Sequence, residues 1–117
     1  MIDDVFCKII KKELPAEIVW QDDDFLVIKD IHPQAPVHVL IIPKQHLDAI
    51  HAVTEHTQLD SLGKMLVVAS RVAQQLGVTK RGYRLIINQG VDAGQLVPHL
   101  HMHLLAGRRL GAKIVNE

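Results

Sequence analysis

Between two groups of short apolar runs lies one long helical pattern, roughly Glu55 to Leu76, and its breadth limits the folds open to the chain. One apolar stripe is Leu59, Leu62, Leu66, Ala69, Ala73 and Leu76, and beside it run Met65, Val68 and Val72. At ~100° per residue the two stripes cover about half the circumference. Asp60, Lys64, Arg71, Gln74 and Gln75 fill the remainder. Gly77 closes the helix, and either Thr54 or Thr57 caps its start. A helix lying on one sheet needs a narrower stripe. The surplus implies either deeper burial in its own subunit or contact with the same helix of a second copy, and the second is the simpler arrangement.

The runs on either side read as strands. "EIVWQ" and "FLVIKDI" are joined by the acidic turn "DDD"; "VHVLIIP" is bounded by Pro36 and Pro43; "YRLIINQG" and "HLHMHLL" follow the long helix. At the N-terminus "DVFCKIIKKELP" reads as a short helix with Phe6, Ile9 and Ile10 on one side, stopped by Pro15. Helix, three strands, helix, two strands is an α+β order, and residues 1–117 are expected to form one domain. No repeat or low-complexity segment interrupts it.

Lys plus Arg and Asp plus Glu each number 13, so the chain carries no net charge. That leaves no electrostatic footprint for nucleic acid or an anionic membrane; an anionic ligand must be held by a local site. No apolar run approaches the length of a membrane span. A single cysteine, Cys7, fits a reducing, cytoplasmic setting and reads as a small buried apolar residue of the first helix.

The stretch "VPHLHMHLL" carries His99, His101 and His103 at alternate positions, with Leu100 and Met102 between them. In a strand they share one face. Three imidazoles in register are hard to explain as packing, because each needs polar partners. One chemistry for them is a metal site, with His38 as a fourth ligand. The outer two lie ~13 Å apart along an extended backbone, so all three reach one ion only with strain. The other is nucleophilic catalysis: a neutral imidazole attacks when an acceptor holds its other ring nitrogen, while flanking imidazoles bind the anionic group under attack. Upstream, "NQGVDAGQLVPH" holds Gly90 and Gly94, which permit tight turns and exposed N–H groups suited to phosphate.

"HLHMHLL" matches the His-φ-His-φ-His-φ-φ pattern (φ hydrophobic) of the histidine triad (HIT) proteins. "DVFCKIIKKELPAEIVWQDDDFLVIKDIHPQAPVHVLIIPKQHL" resembles the N-terminal half of their Hint branch, and "GYRLIINQG" and "GQLVPHLHMHLLAGR" resemble the rest. The resemblance covers nearly the whole chain. It implies a five-stranded antiparallel sheet with one long and one short helix, and a homodimer whose two sheets join, with the long helices meeting at the interface. It also implies binding of purine nucleoside monophosphates and hydrolysis of nucleoside phosphoramidates, without metal or other cofactor.

By the same resemblance His101 attacks phosphorus to give a nucleotidyl-histidine, and His103 contacts a phosphate oxygen. His99 is a supporting residue hydrogen-bonded toward His38. Asn88 and the loop of Gly94, Gln95, Leu96 and Val97 contact phosphate. Asp30 takes both ribose hydroxyls, and Val5, Phe6, Ile9, Ile28, Lys29 and Ile31 wall the base. His32, His46, His51, His56, Arg108 and Arg109 read as solvated surface. Two departures stand out: Leu96, where relatives often carry a polar residue near the leaving nitrogen, and Pro98, where an aromatic is common. Leucine cannot donate a proton. The tail "LGAKIVNE" matches no pattern. Two other readings remain open: a nucleotide-binding protein with little turnover, and a dinucleoside polyphosphate hydrolase of another HIT branch.

Overall fold

The computed structural model describes residues 3–53 and 56–112. The elements run α1 (Val5–Ile10), β1 (Ile18–Gln21), β2 (Phe25–Lys29), β3 (Val37–Pro43), α2 (His56–Gln75), β4 (Tyr83–Ile86) and β5 (Met102–Ala106). The five strands form one antiparallel sheet, as expected, and their order is β1-β2-β3-β5-β4.

Strand alternation sorts the apolar runs onto two faces. Phe25, Val27, Val39, Ile41, Met102, Leu104 and Ala106 turn toward α2 and meet Met65, Val68, Ala69, Val72 and Ala73. Leu26, Ile28, Leu40 and Ile42 turn the other way and are covered by Phe6, with Ile9, Ile10 and Val97 beside them. Because both faces are covered, β2 and β3 are continuous apolar runs rather than alternating ones.

The apolar positions of the long helix have different fates, and the division cuts across the first stripe. Met65, Val68, Ala69, Val72 and Ala73 are buried, whereas Leu59, Leu66 and Val67 are 49%, 57% and 51% exposed. The Leu59–Leu66 line therefore does not pack on the chain's own sheet. The helix ends at Gln75, one residue before the expected limit, and its expected start at Glu55 and the choice between Thr54 and Thr57 lie outside the described residues and side chains. At the start of α1, Asp4 accepts from the N–H of Cys7 at 2.8 Å. The helix ends at Ile10, not at Pro15: just beyond its cap Lys12 adopts φ 66° and the Glu13 N–H reaches back to the Lys8 carbonyl.

The expected fifth strand is shorter. β5 begins only at Met102, so His99 and His101 precede it. A tight turn causes this: the His99 N–H donates to the Val97 carbonyl, and the Leu100 N–H donates to Leu47, outside the sheet ladder. No described helix is long and apolar enough to cross a membrane.

Candidate active site

The sheet face away from α2 carries a cavity of about 510 Å³ between α1, β2 and the loop before β5. His101 and His103 lie on its wall, with Asp30 and Asn88. Phe6, Ile9, Val5 and Ile28 form an apolar side, continued by Lys29 and Ile31. Gly94, Gln95, Leu96 and Val97 close the opposite rim. His99 and His38 do not line the cavity.

His101 is buried, and its Nδ1–H donates to its neighbour's main chain, the His99 carbonyl, at 2.7 Å. A carbonyl only accepts, so the proton sits on Nδ1 and Nε2 keeps its lone pair. Burial, above all, lowers the pKa of His101 below the usual imidazole value. The ring is thus neutral at neutral pH. The Phe6 ring stands edge-on to it, with centroids 4.9 Å apart.

The tautomer of His103 is set from a distance. The Gln34 N–H donates to His38 Nδ1 at 3.0 Å, which forces the His38 proton onto Nε2. His38 Nε2–H lies 2.9 Å from His103 Nδ1 and 3.3 Å from an Asp30 carboxylate oxygen. His103 Nδ1 therefore accepts, and its proton rests on Nε2, ready to donate. The register makes this possible: Leu40 pairs with His103 and His38 with Leu105, so the two imidazoles are diagonal neighbours on one face. Desolvation, helped by the neighbouring rings of His101 and His38, pushes the His103 pKa down to about 4, and burial also lowers that of His38.

The rim loop is stapled from within. Gly90 and Gly94 take φ 89° and 80°, conformations that favour glycine. The Gln95 side chain accepts from the Gly90 N–H and donates to the Val97 carbonyl, so it holds the loop at the cavity rim. Leu96 is 93% exposed at the rim.

Three expectations change. His99 does not bond toward His38; its Nε2–H donates to the Pro43 carbonyl and its Nδ1 faces Asp4. His46 is not a free surface residue, since it bonds Asp4 and Asp48. Arg108 is not merely solvated: its guanidinium donates to the carbonyls of Gln34 and Arg109. Gln34 was missed as a site residue, because its backbone, not its side chain, does the positioning. His32 and His51 are exposed as expected, and the side chain of His56 lies outside the described ones.

A HIT domain model matches residues 11–110. The purine nucleoside phosphoramidase of Escherichia coli K12 is 46% identical over 114 residues, covering 97% of this chain and 94% of the relative. Among solved structures, a HIT family hydrolase from Clostridium thermocellum superposes with TM-score 0.91 at 49% identity, covering 98% and 99% of the two chains. A histidine triad protein from Clostridium difficile gives TM-score 0.91 at 38% identity, covering 97% and 98%. On this agreement of site, fold and sequence, the chain belongs to the histidine triad family.

Proposed function

We propose that this HIT-family hydrolase cleaves the P–N bond of purine nucleoside phosphoramidates through a covalent intermediate on His101. The observation that carries this is the tautomer of His101, with Nδ1–H held by the His99 carbonyl and a free Nε2 lone pair at the cavity wall. The likeness to a relative named purine nucleoside phosphoramidase supports the substrate class.

In this reading the base lies against Phe6, Ile9 and Ile28, and Asp30 accepts from both ribose hydroxyls. His101 Nε2 attacks phosphorus, the P–N bond breaks, and the amine leaves with its electron pair. His103 Nε2–H holds a phosphoryl oxygen, and Asn88 and the Gly94–Val97 rim hold the others. Leu96 has no proton to give, so the leaving nitrogen takes one from water. Water then cleaves the P–Nε2 bond, releasing the nucleoside monophosphate and restoring neutral His101. A second copy of the chain covers the exposed Leu59–Leu66–Val67 face of α2.

Single-turnover hydrolysis of an adenosine phosphoramidate, with the quenched protein weighed by mass spectrometry, tests the reading. The expected result is AMP release with a transient adduct of one AMP, absent in His101→Ala. AMP binding with neither hydrolysis nor adduct would instead mark a binding protein.

A further inference from the structure

The hydrogen-bond chain that orients His103 begins in a turn with no regular structure. Residues 30–36 link β2 to β3, and residues 31–34 are exposed. The Gln34 N–H that meets His38 Nδ1 at 3.0 Å comes from the middle of this turn. An N–H on an exposed turn keeps its aim only when the peptides around it are held. Two holds are local: the His32 N–H donates to Asp30 Oδ1 at 2.8 Å, and the Gln34 side chain donates to the His32 carbonyl at 3.1 Å. Another comes from the far end of the chain. Arg108, just past β5, donates from its guanidinium to the Gln34 carbonyl at 2.9 Å, across 74 positions of sequence.

Register brings the two together. Val37 pairs with Ala106, so the chain leaving β5 runs beside the chain entering β3. Gly107 makes the approach close. It adopts φ 97°, and a Cβ there would stand 2.9 Å from Pro36 Cβ and 3.4 Å from the Val37 nitrogen. A side chain at position 107 would push the turn away; glycine lets it rest on the end of β5, and the next residue is the arginine. A second bond, to the Arg109 carbonyl at 2.8 Å, fixes the guanidinium in its own loop. Among the described residues no carboxylate pairs with Arg108, so its donors serve main-chain carbonyls.

We propose that Arg108 is a positioning residue for the proposed phosphoramidase reaction: by holding the Gln34 carbonyl it keeps the Gln34 N–H on His38, and through His38 it keeps the proton of His103 on Nε2. The inference rests on the reading of His103 Nε2–H as the donor to a phosphoryl oxygen. If the Gln34 N–H swings away, nothing forbids a proton at His38 Nδ1. His38 Nε2 then presents a lone pair to His103 Nδ1, the His103 proton moves to Nδ1 to meet it, and Nε2 is no longer a donor. Asp30 is held independently, because its own N–H donates to the His38 carbonyl at 3.0 Å. Loosening the turn thus spares the ribose acceptor, and the effect of Arg108 falls on kcat more than on KM.

The test uses Arg108→Met, which keeps the aliphatic stem and removes the donors, and Arg108→Lys, which returns a donor. Imidazole ¹⁵N spectra of the histidine-labelled full chain, taken without substrate, should show His38 and His103 as Nε2–H tautomers. Arg108→Met should move His103 toward the Nδ1–H form, and Arg108→Lys should restore Nε2–H. Arg109→Met, which removes an equal charge one residue on, should leave the pattern unchanged. With an adenosine phosphoramidate, Arg108→Met should lower kcat about tenfold with little change in KM. In a His38→Ala background it should cost nothing further, because the relay is already cut. Unchanged tautomers in Arg108→Met, an equal shift in Arg109→Met, or a rate loss that adds in full to that of His38→Ala overturns the relay. A chain that binds AMP and cleaves no phosphoramidate would sink the proposed reaction, while the tautomer spectra would still decide whether Arg108 sets His103.

Discussion

The His38–His103 pair and the His46–His99 pair are built from the same side chain, yet their partners differ in kind. In the first, a backbone N–H enters at His38 Nδ1, and one proton per ring passes the polarity along to a donor at His103 Nε2. Every lone pair inside that chain meets a proton. In the second, an acceptor stands at both nitrogens of each ring: the Pro43 carbonyl or the Asp48 carboxylate at Nε2, and the Asp4 carboxylate at Nδ1. A histidine cluster is thus decided less by its imidazoles than by whether a donor or an acceptor stands behind them.

That contrast is sharpest in substitutions. His101→Ala should lower the single-turnover rate by ~10⁴-fold or more. Cys7→Ser, in the other cluster, should have a far smaller effect on rate. If Cys7→Ser matched His101→Ala in rate, the two clusters would not be separable units. His38→Ala removes the donor behind His103 and should cost about 10²-fold in kcat, with KM nearly unchanged. A change confined to KM would mean that His38 only shapes the cavity.

Acid should distinguish the clusters next. His101 attacks as the neutral ring, so kcat/KM falls as pH drops through its pKa, which burial holds below the ordinary 6.5. Activity should be flat above that value; a limb at or above 6.5 would contradict the buried neutral nucleophile. The same depression reaches stability. Unfolded histidines bind protons near 6.5, while folded His103 waits until about 4. Stability is therefore complete above 6.5 and is lost as pH falls from there toward 4, readable as a declining Tm. The smallest effect is expected at the rim: Leu96→Ser supplies a hydroxyl donor and should speed cleavage of poor leaving amines by a few-fold. An equal rate would place position 96 outside the leaving-group chemistry.

The fold was legible because period and turn chemistry agree along the chain. The double-striped helix, the apolar runs of β2 and β3 and the Asp22 turn all fold as read; the Asp22 carboxylate caps the N–H groups of Asp24 and Phe25. The cavity wall was legible through its resemblance to a family, residue by residue. What stayed hidden were contacts made by backbone or across long separations. The alternation His99, His101, His103 suggests one shared face, but a turn at Val97–His99 breaks the strand and sends His99 to Asp4, distant in sequence. Asp4 and His46 gave no signal of their own, and neither did Gln34, whose contribution is an N–H that every non-proline residue possesses.

The acceptor that orients His101 is also main chain. A point mutation at position 99 changes a ring but cannot delete a carbonyl, so the aim of the nucleophile is buffered against most single-codon changes. It is exposed to a different class of lesion. Removing or adding one residue in the Gln95–Pro98 stretch would rotate the His99 carbonyl away while leaving every imidazole in the sequence. Across divergent copies of this chain, the length of that loop should accordingly be held more tightly than its composition.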